Sequence, residues 1–375
     1  MNLMEYDAKR LVLAPANIQL LDSALCHTAS EAEAAAERIG ACVIKAQVPT
    51  GKRGKAGGIR LAATPGEARA ATERILGMTI AGHPVASVLV EAQAAIVQEY
   101  YAAVLHAPRE RCSLVLFSTE GGMDIEDIAQ SHPELLRRHL VRSTDQFDEA
   151  DASAMLDGLP LGEAQAEIAR ILVALYRRYR ATDAELIEIN PLVQLADGSI
   201  AALDCKFVLD DAAAYRQTTL AAAAAPDPST LLERRASEVG LKFIELDGPV
   251  GILANGAGLT MTTMDVVSVL GGRPANFLEI GGDAYTKAEP ALELLLAKPE
   301  IRALVVNFCG AFARTDVMAR GVIEAWQRLE PDLPIFFSVH GTGADEAVAL
   351  VRDAFGVEPF DLMEDAVHAA IEAAQ

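Results

Sequence analysis

Cysteine is scarce: Cys26, Cys42, Cys112, Cys205 and Cys309 stand far apart among 375 residues, with no CxxC pair. That spacing excludes a disulfide framework and a ribbon-type zinc site. It points to buried structural thiols in a reducing compartment. No apolar run approaches the length of a membrane span. The opening Met1-Asn2-Leu3-Met4-Glu5-Tyr6-Asp7 has neither the basic and apolar regions of a signal peptide nor an Arg-rich transit pattern. The expectation is a cytoplasmic protein with no membrane partner. Basic residues are also short, 32 against 53 acidic, for a net charge of −21. Such a balance argues against nucleic acid as a partner. The GxxxxGK[ST] order of a Walker loop is missing too. Tryptophan occurs once, as Trp326 in an expected helix, where it reads as core or subunit interface.

What is present is a globular composition, 51% hydrophobic and 23% charged, long enough for two or three domains. Against the acidic background one stretch stands out, CVIKAQVPTGKRGKAGGIR from Cys42 to Arg60. A short apolar run carries Lys45, and a loop follows with Lys52, Arg53 and Lys55 among four glycines. Glycine lets backbone N–H groups approach an anion, and the cations neutralise it. The loop is therefore either a solvated basic turn or a cover for nucleotide phosphates.

In chain order, residues 1–20 read as a short helix and an irregular link. Ser30 with Glu33 forms a capping box for a helix ending at Gly40. Strand 42–47 pairs with a return strand at 59–62, and Thr64-Pro65-Gly66-Glu67 starts a helix that stops at Gly77. A strand over 85–91, a hairpin of 99–105 with 112–118, and a helix from Asp124 follow. Residues 143–160 read as irregular and 162–180 as an amphipathic helix. The strands 186–195 and 199–207 meet near Asp197-Gly198. A two-residue turn sets Asn190 opposite Cys205; a three-residue loop with Gly198 left-handed sets it opposite Asp204. The second register puts Glu188, Asn190, Asp204 and Lys206 on one face, as either a solvated face or a cation site. Residues 208–245, with Pro226 and Pro228, read as linker and surface helix.

From Gly248 the pattern is strand, glycine turn, helix, repeated: NGAG after 250–254, Gly281-Gly282-Asp283 after 275–280, Gly310 after 303–308, and His340-Gly341-Thr342-Gly343 after 334–339. A last short strand and helix fill 357–375. This predicts a parallel sheet with helices on both faces and ligands at its carboxyl edge.

With those pieces placed, the chain resembles the β subunit of succinyl-CoA synthetases, the ATP-grasp acid–thiol ligases. The resemblance runs over nearly the whole length and rests on MNLMEYDAKRL, KAQVPTGKRGKAGGI, VLVEA, FSTEGGMDIE, LIEINPLV, ALDCK, NGAGLTMTTMDVV, GGRPANFLEIGG and VVNFCGAFARTD. It implies an α/β fold with an N-terminal ATP-grasp domain of two α+β subdomains, residues 1–235. It also implies a C-terminal flavodoxin-like CoA-ligase domain, residues 246–375. The substrates it implies are ATP or GTP, coenzyme A and a carboxylic acid, with Mg2+ as cofactor. An α subunit, in an αβ or α2β2 assembly, would supply a phosphorylated histidine and most of the CoA site.

The same resemblance assigns Lys45 to the ATP phosphates and Lys52, Arg53 and Gly54 to the loop covering them, Lys52 replacing a glycine. It sets Glu91 at the end of the adenine strand, Glu99 near the ribose, and Asn190 and Asp204 as magnesium ligands. Glu188 would steady the phosphohistidine by accepting its free ring N–H. Asn255 would contact the acid, and Ala311-Phe312-Ala313 would occupy the substrate loop. The acid-binding edge departs from the family. Gly310-Ala311-Phe312-Ala313-Arg314 replaces a GGIVR- or AGINR-like pattern, Ser338-Val339-His340-Gly341-Thr342-Gly343 replaces an arginine-bearing RLxGTN-like strand end, and Asp283 is added. His340 reads as either a substrate contact or a capping or packing histidine. Succinate or malate is the expected acid, with citrate or another specialised acid as the alternative. A carboxylate–amine ligase or a nonenzymatic nucleotide-binding subunit fits less well.

Overall fold

The structure is a computed structural model that describes residues 1–51, 53–123, 125, 135–225, 230–281 and 284–375. Lys52, Asp283, Pro226, Pro228 and most of the expected helix from Asp124 lie outside the described residues. The chain forms two units, Met1–Pro228 and Ser229–Gln375.

The first unit begins with a helical turn Glu5–Ala8, a π-helical turn Lys9–Leu13 and a 3-10 turn Ala14–Ala16. Its strands are β1 (Gln19–Leu20), β2 (Ser23–Cys26), β3 (Cys42–Ala46), β4 (Ile59–Ala62), β5 (Thr79–Ile80), β6 (His83–Pro84), β7 (Val88–Ala92), β8 (Ile96–Ala107), β9 (Cys112–Ser118), β10 (Leu136–Val141), β11 (Ala184–Leu195), β12 (Ile200–Ala202) and β13 (Lys206–Leu209). One sheet, in the order β2-β7-β3-β4, is antiparallel throughout. Helices Ala29–Ile39 and Pro65–Leu76 bury Ala32, Ala36, Ala68 and Ile75 with Ile44, Val88 and Val90 of that sheet. The larger sheet runs β1-β12-β11-β8-β9-β10, with β13 also on β11. Helix Ala164–Ala181 contributes Ile168, Ile171, Leu172 and Leu175 to its core. These are the two α+β subdomains that the resemblance implies.

The second unit contains β14 (Lys242–Glu245), β15 (Val250–Asn255), β16 (Asn276–Ile280), β17 (Ala303–Gly310) and β18 (Ile335–Gly341), in the order β14-β16-β15-β17-β18. β14 is antiparallel and the rest are parallel. Phe360 adds a parallel bridge to Ser338. From β15 onward the order is thus 2-1-3-4-5, a doubly wound arrangement. Side-chain alternation fills both faces. Ile252, Ala254 and Val305 join one core, whereas Leu253, Leu304 and Val306 join the other.

Local readings needed correction at four places. The first capping residue is Thr28, whose hydroxyl accepts from Glu31 N at 3.2 Å while the Glu31 carboxylate accepts from His27 N. This cap displaces the expected Ser30/Glu33 box, and the helix starts at Ala29. Residues 143–160 include a helix, Glu149–Leu156, with a full capping box of Asp148 and Asp151. The supposed linker contains helices Thr218–Ala223 and Leu231–Glu238 and strand β14, the last paired in the second unit's sheet. Cys309 is exposed, while the other four cysteines are buried.

Candidate active site of the first unit

The register of β11 with its return strands decides the site. Leu192 pairs with Ala202 and Gln194 with Ile200, while Glu188 pairs with Lys206, so Asn190 aligns with Asp204. The connection is the three-residue loop 196–198, with Gly198 at φ +86° and Leu195 N donating to Ser199 O. One cleft of about 210 Å3 is lined by Glu188, Asn190, Asp204 and Lys206 together with Glu5, Arg53 and Gly51.

Against this cleft lies a cluster of buried charges. The carboxylate of Glu5 accepts from Lys9 Nζ at 2.7 Å, Lys45 Nζ at 3.0 Å and Arg53 Nη1 at 2.6 Å. Glu91 accepts from Lys9 and Lys45, each at 2.6 Å. Both ammonium groups also donate to the Leu203 carbonyl oxygen. Arg53 Nη2 reaches Asp204 Oδ2 at 2.7 Å, and Nη1 also donates to the Ala46 carbonyl. Among the described residues three cations (Lys9, Lys45, Arg53) thus face three carboxylates (Glu5, Glu91, Asp204), and their formal charges cancel.

Burial and charge oppose each other here. Burial alone would raise the Glu5 carboxyl, but Lys45, Lys9 and Arg53 together hold it well below its ordinary value. Burial would likewise lower Lys45; Glu5, Glu91 and Asp204 outweigh it and raise it. Arg53 is raised in the same way, chiefly by Glu5 and Asp204 against its burial. Cys205 is fully buried, and desolvation, then Asp204, pushes its thiol far up, so it is no nucleophile.

The expected site residues divide between the cleft and its surroundings. Arg53, Glu188, Asn190 and Asp204 meet in the cleft. Lys45 is one carboxylate behind it. Glu91 has both oxygens engaged by lysines and is 2% exposed, so it acts on the cluster rather than presenting a free carboxylate to an adenine. Glu99 lies on β8 opposite Val193, where a Cβ on Gly122 would come within 2.3 Å of its Oε2. Gly54 is exposed and does not line the cleft. Tyr101 donates to Glu188 Oε2 at 3.0 Å. The Asn190 amide pins the neighbouring loop, its Oδ1 accepting from Gly122 N at 2.7 Å and its Nδ2 donating to Met123 O at 2.9 Å. That loop crosses so close to β8 that a Cβ on Gly121 would stand 2.4 Å from Tyr100 O.

Glu5, Lys9 and Tyr101 were missed by the sequence reading. Glu5 and Lys9 are an i,i+4 pair inside the MNLMEYDAKRL opening, a signal that was visible but read only as helix.

Asn190 and Asp204 fit a hard divalent cation. They offer an amide and a carboxylate oxygen, and a magnesium ion takes few protein ligands when phosphates and water complete its shell. Among the described residues no group of three or more His, Cys, Asp or Glu could hold a metal ion.

In the second unit, Asn255 ends β15 at the switch point between β15 and β17. Its amide is engaged on both sides, Oδ1 accepting from Cys309 N at 2.8 Å and Nδ2 donating to Cys309 O at 2.9 Å. The 310–315 loop is strapped to the end of β18. Thr342 N donates to Gly310 O, Thr342 Oγ1 to Ala311 O, and Thr315 N to Thr342 O. Between these ties Phe312 is fully exposed, with Ala311 and Ala313 beside it. His340 is exposed, its Nε2 3.1 Å from Ser338 Oγ. No helix among the described residues is long and apolar enough to cross a membrane.

Comparison with known proteins agrees with this division of the chain. Residues 2–194 match the ATP-grasp domain family and residues 253–370 the CoA-ligase family. The β subunit of the ADP-forming succinate–CoA ligase of Rubrobacter xylanophilus is 40% identical over 381 residues, 100% of this chain and 99% of that one. The β subunit of the GDP-forming succinate–CoA ligase of Thermus thermophilus is 41% identical over 356 residues, 94% of this chain and 93% of that one. The ATP citrate lyase of Methanothrix soehngenii, solved with citrate and coenzyme A, shares the fold. Its TM-score is 0.77 at 24% identity, over 99% of each chain. The chain belongs to the family of succinate–CoA ligase β subunits.

Proposed function

We propose that this chain is the nucleotide-binding β subunit of an acid–CoA ligase forming ADP or GDP, acting with an α subunit. The observation that carries the reading is the meeting of Arg53, Glu188, Asn190 and Asp204 in one cleft, backed by Lys45 in the buried charge cluster. Lys45 and Arg53 hold the nucleotide phosphates, and Asn190 and Asp204 are the protein ligands of Mg2+. When bound, that ion would screen the phosphate charge. Glu188, held by Tyr101, accepts the ring N–H of the α subunit's histidine while the other ring nitrogen takes the γ-phosphoryl group and ADP leaves. The phosphoryl group then passes to a carboxylate oxygen of the acid and the histidine is regenerated. The thiol of coenzyme A attacks the resulting acyl phosphate, forming the thioester and releasing phosphate.

Asn255 and the 311–313 loop contribute to the acid site. Succinate is the leading substrate. Malate or citrate is the second reading, favoured by the exposed Phe312 and by Ser338-Val339-His340 at a strand end where the family pattern carries an arginine. The test is to purify the chain with its α subunit and measure thioester formation from ATP, coenzyme A and a panel of acids. Turnover of succinate supports the first reading; turnover of another acid without succinate replaces it with the second. No turnover of any acid removes the ligase assignment.

A further inference from the structure

Among the described residues one carboxylate touches all three cations of this cluster, and it belongs to neither the metal ligands nor the expected phosphate contacts. Glu5, with its side chain 1% exposed, bonds Lys9, Lys45 and Arg53 at once. Its two oxygens divide the work: Oε1 takes the two ammonium groups and Oε2 takes the guanidinium. Arg53 in turn spans two carboxylates of different character, buried Glu5 on Nη1 and Asp204, 33% exposed, on Nη2.

We propose that Glu5 is a positioning residue for phosphate binding: it is the fixed anchor of Lys45 and Arg53, while Asp204 is the exchangeable partner. This rests on the nucleotide reading above. When Asp204 turns to a phosphate-bound cation, Arg53 Nη2 is released to a phosphate oxygen. Nη1 stays on Glu5, so the guanidinium keeps its place and needs little reordering. A planar fork held at one end loses less freedom on binding than one swinging free. Lys45, held by Glu5 and Glu91 on opposite carboxylates, is fixed in the same way. Only the charges are exchanged; no covalent bond changes.

A purely electrostatic role predicts the opposite sign. Removing the Glu5 charge leaves three cations against two carboxylates, and an anion should then bind more tightly. If Glu5 positions the cations, the anion should bind more weakly.

The experiment is equilibrium binding of Mg·ATP by calorimetry, and of adenosine by ligand-observed NMR, to the full chain and to its Glu5→Gln and Glu5→Asp variants. Near-ultraviolet dichroism checks their folding. The expected result is at least a tenfold loss of Mg·ATP affinity in Glu5→Gln, with adenosine affinity within twofold. Glu5→Asp, with the charge kept and the reach shortened, should fall between and serves alone if Glu5→Gln does not fold. Unchanged or tighter Mg·ATP binding in a folded variant overturns the proposal. So does an equal loss for adenosine and Mg·ATP, which marks a general structural role. Failure of the unaltered chain to bind Mg·ATP overturns the nucleotide reading itself, a result distinct from either.

Discussion

Replacing Lys9 by methionine tests the buried charge cluster without touching a group assigned to phosphate. Lys9 is 4% exposed and bonds Glu5, Glu91 and the Leu203 carbonyl. Methionine fills much of the volume, and the Leu203 carbonyl still accepts from Lys45. What remains is two cations against three carboxylates, an uncompensated buried charge. Breaking a buried pair from one side costs about 3–5 kcal/mol. A surface pair would cost about 0–1 kcal/mol. The assay is native-state hydrogen exchange at the amides of β3 and β7, the strands carrying Lys45 and Glu91. At tenfold per 1.4 kcal/mol, protection at pH 7 should fall by roughly two to three and a half orders of magnitude. The deficit should shrink in acid, where protonating a carboxylate that has lost its cation removes the excess charge. A change under about tenfold, or one that grows in acid, refutes the compensation argument.

The unaltered protein has its own pH signature. Glu5 titrates well below its ordinary 4.5 when folded, so its contribution is present above that value and is lost as pH falls through the depressed one. Lys45 is raised above 10.5, so its contribution holds below that value and is lost as pH climbs through the raised one. Exchange at β3 should therefore show a plateau between, which a strong slope near pH 7 would contradict. Asp204→Asn should slow magnesium-dependent phosphoryl transfer at least tenfold while the melting temperature moves by a few degrees at most, the side chain being one-third exposed. Unchanged transfer rates remove Asp204 from the site. Phe312→Gly should alter the ratio of kcat/KM among acids with the ATP KM unchanged; the reverse pattern would contradict its placement. Gly121→Ala forces a Cβ against Tyr100 O and should displace the loop that Asn190 pins, lowering stability by about 1–3 kcal/mol in denaturant titration. A neutral effect would show the loop free to move off β8.

Most of the fold could be read from the sequence because its signals were local and redundant. Four successive strand–glycine–helix units announce the parallel sheet, and Thr64-Pro65-Gly66-Glu67 starts a helix as its chemistry demands. The residues alone left the β11 hairpin register open between a two- and a three-residue turn; the resemblance favoured the second, and that is the one formed, with Gly198 left-handed. The choice of Thr28 over Ser30 as the cap was not decidable, since each is a hydroxyl residue three positions before a glutamate. β14 was hidden because it enters its sheet antiparallel, after a helix, outside the repeating unit. At the site, Arg53, Asn190 and Asp204 could be read from motifs and alternation. Glu5 and Lys9 could not, because their distant partners lie 40 residues away (Glu5 to Lys45) and 82 residues away (Lys9 to Glu91), and a lone i,i+4 pair usually marks a solvated helix face. Glu91 illustrates the same limit: a strand-ending carboxylate looks available until two lysines from different elements are found on it.

In the proposed function the first unit delivers a phosphoryl group from ATP to its α subunit. The direct measurement is transfer of γ-labelled phosphate from ATP in the co-purified complex. Label is expected on the α subunit, stable to alkali and labile to acid as a phosphohistidine is, discharged by acid substrate with coenzyme A and absent in Lys45→Met. Nucleotide bound without any label on the partner, or label undiminished in Lys45→Met, would contradict it.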